Sequence, residues 1–279
     1  MGSLYALVSA GGAPGVTTAA LALALTWPAP VIVAECDPGG GDVLAGALAG
    51  HIPGGVGLME HAIAAGVSPR AAAAALSSQL IPLDAERTRM VLPGLTDPRQ
   101  AAGLEPAWPA VAATFAAQEC DVIADCGRLD AGSGQPLAVL SAASLIALVL
   151  RPTLRQTWAA RPRIEMLAQL LGGTPPVVLL MTGPGTHQPG EIAATLGVPV
   201  AAVLPADAQS AAVLSDGHAR RRRFEMTPLM TAAKSASQAL RRNSPVSGSA
   251  PAAAGAEPEQ MPRYALEAAE AVAHAGGWQ

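Results

Sequence analysis

The chain is poor in lysine and in cysteine, and each shortage excludes a class of site. Of its 17 basic residues only Lys234 is a lysine, so a site elsewhere that needs a fixed cation must use arginine. The three cysteines, Cys36, Cys120 and Cys126, have neither the spacing of a metal site nor the number of a disulfide framework. The composition therefore favours small buried thiols.

Long apolar runs and an excess of positive charge are also missing. The runs at 145–150 and 177–181 are far shorter than the ~20 residues of a membrane-spanning helix. No charged segment precedes the first apolar stretch, so we expect a cytoplasmic protein with no signal peptide and no membrane span. A formal net charge of −4 argues against a surface built wholly for nucleic acid.

Short apolar runs alternate with helix-like segments through most of the 279 residues. The runs predict strands at 4–9, 31–35, 90–92, 122–125, 145–150, 177–181 and 200–204. Helices are predicted at 17–26, 41–48, 69–79, 106–118, 154–171, 191–196, 208–214 and 228–242. Because the strands are continuously apolar, helices should cover both faces of a mostly parallel sheet. The pattern predicts a doubly wound α/β domain at residues 1–242.

The composition changes after Arg242. Residues 243–261 are rich in proline, serine, alanine and glycine, which predicts a disordered linker. Residues 262–279 form a short tail with a helix-like segment at 263–274. That segment lacks the basic face and bulky apolar residues of a membrane anchor.

The first strand leads into a glycine-rich loop and then a helix. Such a loop directs backbone N–H groups and a helix N-terminus at a bound anion, and Thr17 in the first helical turn can reach Mg²⁺. Against the pattern G-x-x-x-x-G-K-[ST], the chain has Ala10 at the first glycine, keeps Gly15 and has Val16 at the lysine. The loop predicts phosphate binding with weak catalysis, because that lysine offsets charge during phosphoryl transfer.

Carboxylates follow two other predicted strands. Asp37 comes after the second apolar run and Asp125 ends the fourth. Ligands bind at the carboxyl ends of strands in open parallel sheets, and carboxylates there can hold Mg²⁺ or position a water. Arg128 and Arg151 also follow strands and are candidates for the missing cation, with a solvated or structural role as the alternative.

Five motifs in order resemble the deviant phosphate-loop ATPases related to ParA and MinD, over roughly residues 3–242. The loop resembles K-G-G-x-G-K-T-T, and Asp37-Pro38-Gly39-Gly40 resembles the D-x-D-P-Q-G switch. The other three, which are similar to Y-D-x-I-I-I-D, V-x-P-T and L-G-x-P-V, lie at 121–125, 149–153 and 196–200. The P-G-V-T-T loop is similar to that of a ParA-like branch of GC-rich bacteria, of TadZ/CpaE type.

The resemblance implies a P-loop fold, ATP or ADP with Mg²⁺ as cofactor, and action in partitioning or in positioning a pilus or secretion system through a protein partner. It assigns catalysis to Asp37 and Asp125, and the metal to these two and Thr17. Nucleotide contacts fall on the loop residues Gly11, Gly12, Ala13, Pro14, Gly15, Val16, Thr17 and Thr18. Both family lysines are absent, at Gly11 and Val16, which bears on hydrolysis and on the homodimer that the family forms.

Three alternatives remain open from the sequence. In the first, the chain is a nucleotide-independent scaffold that recruits a protein partner. In the second, it is an NAD(P)-dependent oxidoreductase in which Glu35 holds a ribose hydroxyl. The third concerns one basic segment. The basic run Arg220, Arg221, Arg222 and Arg223 either contacts DNA or a partner, with a strong salt dependence for DNA, or is a solvated loop. The solvated loop is favoured slightly.

Overall fold

The apolar runs of the sequence form one sheet. The computed structural model describes residues 2–12, 15–49, 56–130 and 134–245. The strands are β1 (Leu4–Ser9), β2 (Val31–Glu35), β3 (Ile81–Pro82), β4 (Arg89–Leu92), β5 (Asp121–Arg128), β6 (Leu145–Leu150), β7 (Val177–Thr182) and β8 (Val200–Leu204). Their order across the sheet is β3-β4-β2-β5-β1-β6-β7-β8. Every pair is parallel except β3 with β4, which confirms the predicted mostly parallel sheet.

Helices connect the parallel strands. They are α1 (Val16–Leu25), α2 (Leu58–Val67), α3 (Pro69–Gln79), α4 (Ala101–Leu104), α5 (Trp108–Ala116), α6 (Leu137–Ala142), α7 (Leu154–Leu171), α8 (Pro189–Leu196), α9 (Ala208–Ser215) and α10 (Pro228–Asn243). Within the described residues, no helix is both long and apolar enough to cross a membrane.

Each face of the sheet carries its own apolar core. Alternate residues of β1 point to opposite faces: Leu4, Ala6 and Val8 belong to a core with α2–α8, and Tyr5 and Leu7 to one with α1, α9 and α10. The helices therefore cover both faces, as the continuously apolar strands predicted.

Helix α1 is covered on several sides. Its residues Ala19–Ala24 are all buried, since α1 packs on the sheet and beneath α9 and α10. Helix α10 is amphipathic and buries Leu229, Met230, Ala233, Ala236 and Leu240. The Ser237 hydroxyl donates to the carbonyl of Leu23 at 3.2 Å. This packing fixes the position of the first turn of α1.

The predicted helix at 41–48 is wrong. Residues 43–49 form consecutive turns, because Gly41 and Gly46 are places of close approach between chain segments. A β-carbon on Gly46 would lie 2.1 Å from the carbonyl oxygen of Ser215. The prediction also missed α2, α4, α6 and the short antiparallel strand β3. Of the predicted linker and tail, only residues 243–245 lie within the described part of the chain.

Candidate functional site

A cavity of about 720 Å³ lies at the carboxyl ends of β1, β2 and β5. The order of strands predicts this position. Strands β2 to β5 lie on one side of β1 and strands β6 to β8 on the other, so the strand order reverses beside β1, where open parallel sheets bind ligands. The cavity is lined by Ser9, Gly12, Gly15, Val16, Thr17, Thr18, Asp37, Asp42, Val43, Ala45, Gly46, Gly127, Arg128, Leu214, Ser215 and Asp216. It contains most of the predicted loop contacts and one of the two predicted carboxylates; Ala13 and Pro14 lie outside the described residues.

The glycine-rich loop ends in a helix N-terminus that no side chain caps. Gly15 is the N-cap of α1 and has a left-handed backbone, with φ 86°. Thr17 is therefore not the N-cap, and its hydroxyl is available to other groups. The first turn of α1 carries no acidic residue, so its backbone N–H groups can bind an anion. Val16 is 7% exposed and belongs to the core beneath the loop.

Asp125 is buried directly behind this helix start. It is 1% exposed, and the Gly127 amide donates to its Oδ1 at 3.0 Å, while the nearby Thr17 hydroxyl lowers the pKa of the carboxyl. Burial raises the pKa of Asp125 to about 6, against the effect of these two donors. A cation near Thr17 would offset that burial cost.

Asp37 lies on the other side of Gly127. Its Oδ1 accepts from the Gly39 amide at 2.7 Å, so the side chain does cap the turn at Pro38. The same carboxylate presses on Gly127, where a β-carbon would lie 2.0 Å from Asp37 Cγ. Burial raises the pKa of Asp37, and neighbouring Asp42 and Asp130 add to the rise. Thr17, Asp37 and Asp125 thus form one group around the Gly127 backbone.

Glu35 holds the loop that carries Asp37. It is 2% exposed; its Oε1 accepts from the amides of Asp42 and Val43 at 2.9 and 3.0 Å, and its Oε2 accepts from Gly94 at 2.9 Å. The carboxylate is surrounded by backbone, so the contact with a ribose hydroxyl that an oxidoreductase would need has no geometric support. Glu35 is instead a structural anchor, a role that the sequence did not predict.

The cavity has an acidic lining. Among the described residues around it, Asp37, Asp42 and Asp216 are acidic and Arg128 is the one basic residue. Arg128 stands beside Ser9, its register partner on β1 at the start of the loop. Its Nε is 3.0 Å from Asp130 Oδ1, and both side chains are about half exposed. The guanidinium is therefore tethered beside the cavity by a solvent-accessible ion pair.

The loop position of the other family lysine is Gly11. A β-carbon there would lie 3.3 Å from Oε1 of Gln156 in the first turn of α7. Gln156 is 4% exposed, and within the described part of the chain its Oε1 has no hydrogen-bond partner. A β-carbon at Gly11 would require this buried amide to shift by a few tenths of an ångström.

A second cavity of about 290 Å³ adjoins the first, and both are lined by Gly15 and Thr18. Its other walls are mainly small or apolar. They come from the ends of β7 and β8, the loops that follow and the first residue of α9: Thr182, Gly183, Pro184, Leu204, Pro205, Ala206, Asp207 and Ala208. Arg151 is also on its wall. Sequence reasoning missed this cavity, although glycine and proline after two predicted strands pointed to loops at the same edge of the sheet.

The basic run lies apart from both cavities. Arg220, Arg221, Arg222 and Arg223 are exposed in the segment after α9, where the Arg220 guanidinium lies 5.7 Å from the ring centroid of Phe224 and Arg221 hydrogen-bonds to Gln209. Arg241 does not join them, since its Nε is 3.3 Å from Asp121 Oδ2.

The likeness of this chain to known proteins lies in its structure. No family model and no curated protein sequence matches the chain. A ParA family ATPase from Chlorobium tepidum TLS aligns with TM-score 0.68 and 15% identity, over 85% of this chain and 99% of that chain. MinD of Pyrococcus horikoshii OT3, complexed with Mg-ADP, aligns with TM-score 0.65 and 16% identity, over 85% and 95%. A chain of the MinC:MinD cell division protein complex of Aquifex aeolicus aligns with TM-score 0.64 and 13% identity, over 93% of this chain and 99% of that chain.

The chain has the ParA/MinD fold. At these identities the likeness concerns architecture alone. In this ParA/MinD fold the central strand β1 ends at Ser9 and α1 begins at Val16. The chain carries glycine at position 11 and valine at position 16, the two positions where the sequence resemblance expects lysine.

Proposed function

We propose that this protein binds a nucleoside di- or triphosphate together with Mg²⁺ in the larger cavity, and that it hydrolyses the nucleotide slowly or not at all. The observation that carries the proposal is that Thr17, one residue inside the uncapped start of α1, lines one cavity together with Asp37, next to buried Asp125. That arrangement joins an anion site to oxygen donors suited to a hard cation.

The residues present fit Mg²⁺ and phosphate. Gly127 leaves room for the Asp37 carboxylate where any β-carbon would collide with it, and its amide donates to the carboxylate of Asp125. Thr17 would hold the ion directly, and Asp37 and Asp125 directly or through water. Bound Mg²⁺ would supply neutralisation of phosphate charge in an acidic cavity. The backbone N–H groups of α1 would bind phosphate oxygens, and Asp37 would orient a water.

The smaller cavity is suited to the base. It adjoins the phosphate site at Gly15 and Thr18, and its walls after β7 and β8 are mostly small and apolar. A flat heterocycle with a few polar edges matches such a lining. The structurally similar MinD of Pyrococcus horikoshii is a complex with Mg-ADP, which supports ADP or ATP as the nucleotide to test first.

Arg128 is our candidate for the cation that Val16 does not provide. It is basic, lines the phosphate cavity and stands beside the start of the loop. Exchange of its contact with Asp130 for a phosphate oxygen would cost little, because exposed ion pairs contribute about 0–1 kcal/mol. An arginine outside the loop replaces the fixed charge less well than a loop lysine, which is the reason for proposing slow hydrolysis.

We propose a positioning role for the whole protein, as a nucleotide-dependent switch in partitioning or in the placement of a pilus or secretion system, with homodimerisation and a protein partner. The fold shared with ParA and MinD supports this. Contact of Arg220–Arg223 with DNA is not part of this proposal, because the solvated loop remains the favoured role of these arginines. The acidic lining of the cavity favours a second candidate, a scaffold that retains the fold without nucleotide.

The test is calorimetric titration with ATP and with ADP in the presence of Mg²⁺, for the wild type and Thr17→Val. The substitution keeps the side-chain volume and removes the hydroxyl; Thr195→Val, on α8 and away from both cavities, is the matched control. We expect micromolar binding that Thr17→Val weakens about tenfold or more and Thr195→Val leaves unchanged. Absence of binding at millimolar nucleotide would exclude the nucleotide proposal and leave the scaffold.

A further inference from the structure

Helix α7 carries two large exposed apolar side chains four residues apart near its start. Leu154 is 68% exposed and Trp158 is 81% exposed. Four residues apart on a helix, they lie on the same face one turn from each other. The opposite side of α7 is already packed, with Thr157, Ala160 and Leu167 buried. The exposed pair is therefore not a part of the core that happens to reach the surface.

Arginines flank this pair, and the first carboxylate of α7 is Glu165, beyond both side chains. Residues 131–164 contain four arginines and no aspartate or glutamate, in a chain whose net charge is −4. Arg155 and Arg161 are exposed on α7, and Arg151 is exposed just before it. Among the described residues neither Arg151 nor Arg155 takes part in an ion pair, and Arg161 donates to the carbonyl of Thr195 at 2.9 Å.

We infer that Leu154, Arg155, Trp158 and Arg161, here called the α7 stripe, form a docking site for an acidic amphipathic helix of a protein partner. Two apolar side chains of that helix would cover Leu154 and Trp158, and carboxylates beside them would meet the arginines. Tryptophan and arginine are the residues that most often dominate binding energy at interfaces. Complementary charge around an apolar centre also selects the partner and speeds encounter.

Charge argues against two other occupants. A second copy of the chain with its α7 antiparallel and centred on Trp158 would bring Arg155 of one copy opposite Arg161 of the other. Nucleic acid does not fit because Leu154 has no group that could bind a phosphate, and because exposed Glu165, one turn beyond Arg161, would repel the phosphate charge. The same Glu165 predicts a basic residue at one end of the partner helix.

The stripe can be tested by selection of displayed peptides of about 15 residues, long enough for a marginal helix, on the full chain. Enriched peptides are synthesised and titrated against the wild type, a Leu154→Ser, Trp158→Ser variant and an Arg155→Glu, Arg161→Glu variant. The control is Ile63→Ser, Val67→Ser on α2, a pair with the same spacing and 64% and 76% exposure. All these side chains are exposed, so melting temperatures should be unchanged.

We expect acidic, helix-forming peptides whose affinity falls about tenfold or more in the serine variant of the stripe and stays unchanged in the α2 control. Charge reversal should shift the selection toward basic peptides. The proposal is overturned if nothing enriches, if the enriched peptides are not acidic, or if they bind the serine variant equally. It is also overturned if Trp158→Ser abolishes a concentration-dependent dimer, or if a short DNA duplex displaces the peptides.

Discussion

The carboxylate of Asp37 occupies the space where every residue except glycine would have its side chain at position 127. A β-carbon on Gly127 would lie 2.0 Å from both Cγ and Oδ2 of Asp37, and the backbone there is left-handed, with φ 62°. Because Gly127 also donates its amide to Asp125, one glycine sets the separation of the two carboxylates. The turn after β2 and the end of β5 therefore keep their positions relative to each other through contact of the Asp37 side chain with the Gly127 backbone.

Gly127→Ala is expected to displace Asp37 and to abolish Mg²⁺-dependent nucleotide binding. The left-handed backbone adds a strain of about 1–3 kcal/mol for a residue with a side chain, so the melting temperature should fall as well. Calorimetry with Mg-ATP and thermal unfolding measure the two effects. Gly66→Ala, on α2 with open space around it, is the control and should be neutral or stabilising by about 0.5–1 kcal/mol. Unchanged binding in Gly127→Ala would remove Asp37 from the site.

The role proposed for Arg128 can be tested by moving the charge back into the loop. Arg128→Ala should weaken ATP and ADP binding about tenfold, the loss of one charge-assisted hydrogen bond. Val16→Lys added to Arg128→Ala should restore the affinity, because the lysine then supplies the missing charge. Val16→Met is the uncharged control of similar length and should not restore it.

The outcomes separate two failures. If the wild type binds nucleotide and Arg128→Ala binds equally well, the assignment of Arg128 is wrong and the nucleotide site stands. If the wild type does not bind, the nucleotide proposal itself fails. Val16 is a buried core residue, so unfolding must be measured for each variant.

Strands were the most predictable part of this fold. Residues 31–35, 145–150 and 200–204 were predicted with the bounds that the structure has, because each is an unbroken apolar run between loop residues. The segment 41–48 was predicted as a helix from its composition, but Glu35 holds the amides of Asp42 and Val43 in another arrangement. That contact depends on a carboxylate from β2, which helical propensity does not include.

The site was predictable where chemistry follows a strand directly. Asp37 and Asp125 were identified by their place after apolar runs, and strand order brings them together. The contact between Asp37 and Gly127 was not predictable, since it depends on the φ angle of one glycine. The cavity after β7 and β8 was missed because its walls carry few groups with distinctive chemistry.

Glu35 should make stability depend on pH. Burial raises its pKa to about 7 from an ordinary value of 4.5, even with three backbone donors. The folded chain therefore holds this proton more tightly than the unfolded chain, and stability from this group is complete below pH 4.5 and lost as pH rises through about 7. The effect is of the order of 3 kcal/mol.

Glu35→Gln removes that titration and places an amide donor against the Gly94 amide. We expect the variant to be less stable than the wild type near pH 5, by about 1–3 kcal/mol, with a smaller difference near pH 8. Urea unfolding at both pH values measures it. Asp84→Asn is the control. Burial raises the pKa of Asp84, but hydrogen bonds from Thr88 and Arg89 outweigh it and lower the pKa to about 2. Because Asp84 does not titrate between pH 5 and pH 8, this variant should leave the change of stability between the two pH values unaltered. Parallel curves for wild type and Glu35→Gln would contradict the assignment.

The three cysteines should differ sharply in reactivity. Cys36 and Cys126 follow the register pair Glu35 and Asp125 on neighbouring strands and are both buried, and burial raises the pKa of each thiol well above its usual value. Cys120 is partly exposed. Because thiolates are the reactive form, a disulfide reagent should label one thiol in the folded protein and all three in urea, and Cys120→Ser should abolish the first labelling. Rapid labelling of Cys36 or Cys126 in the folded wild type would mean that the sheet opens in solution at the carboxyl ends of β2 and β5.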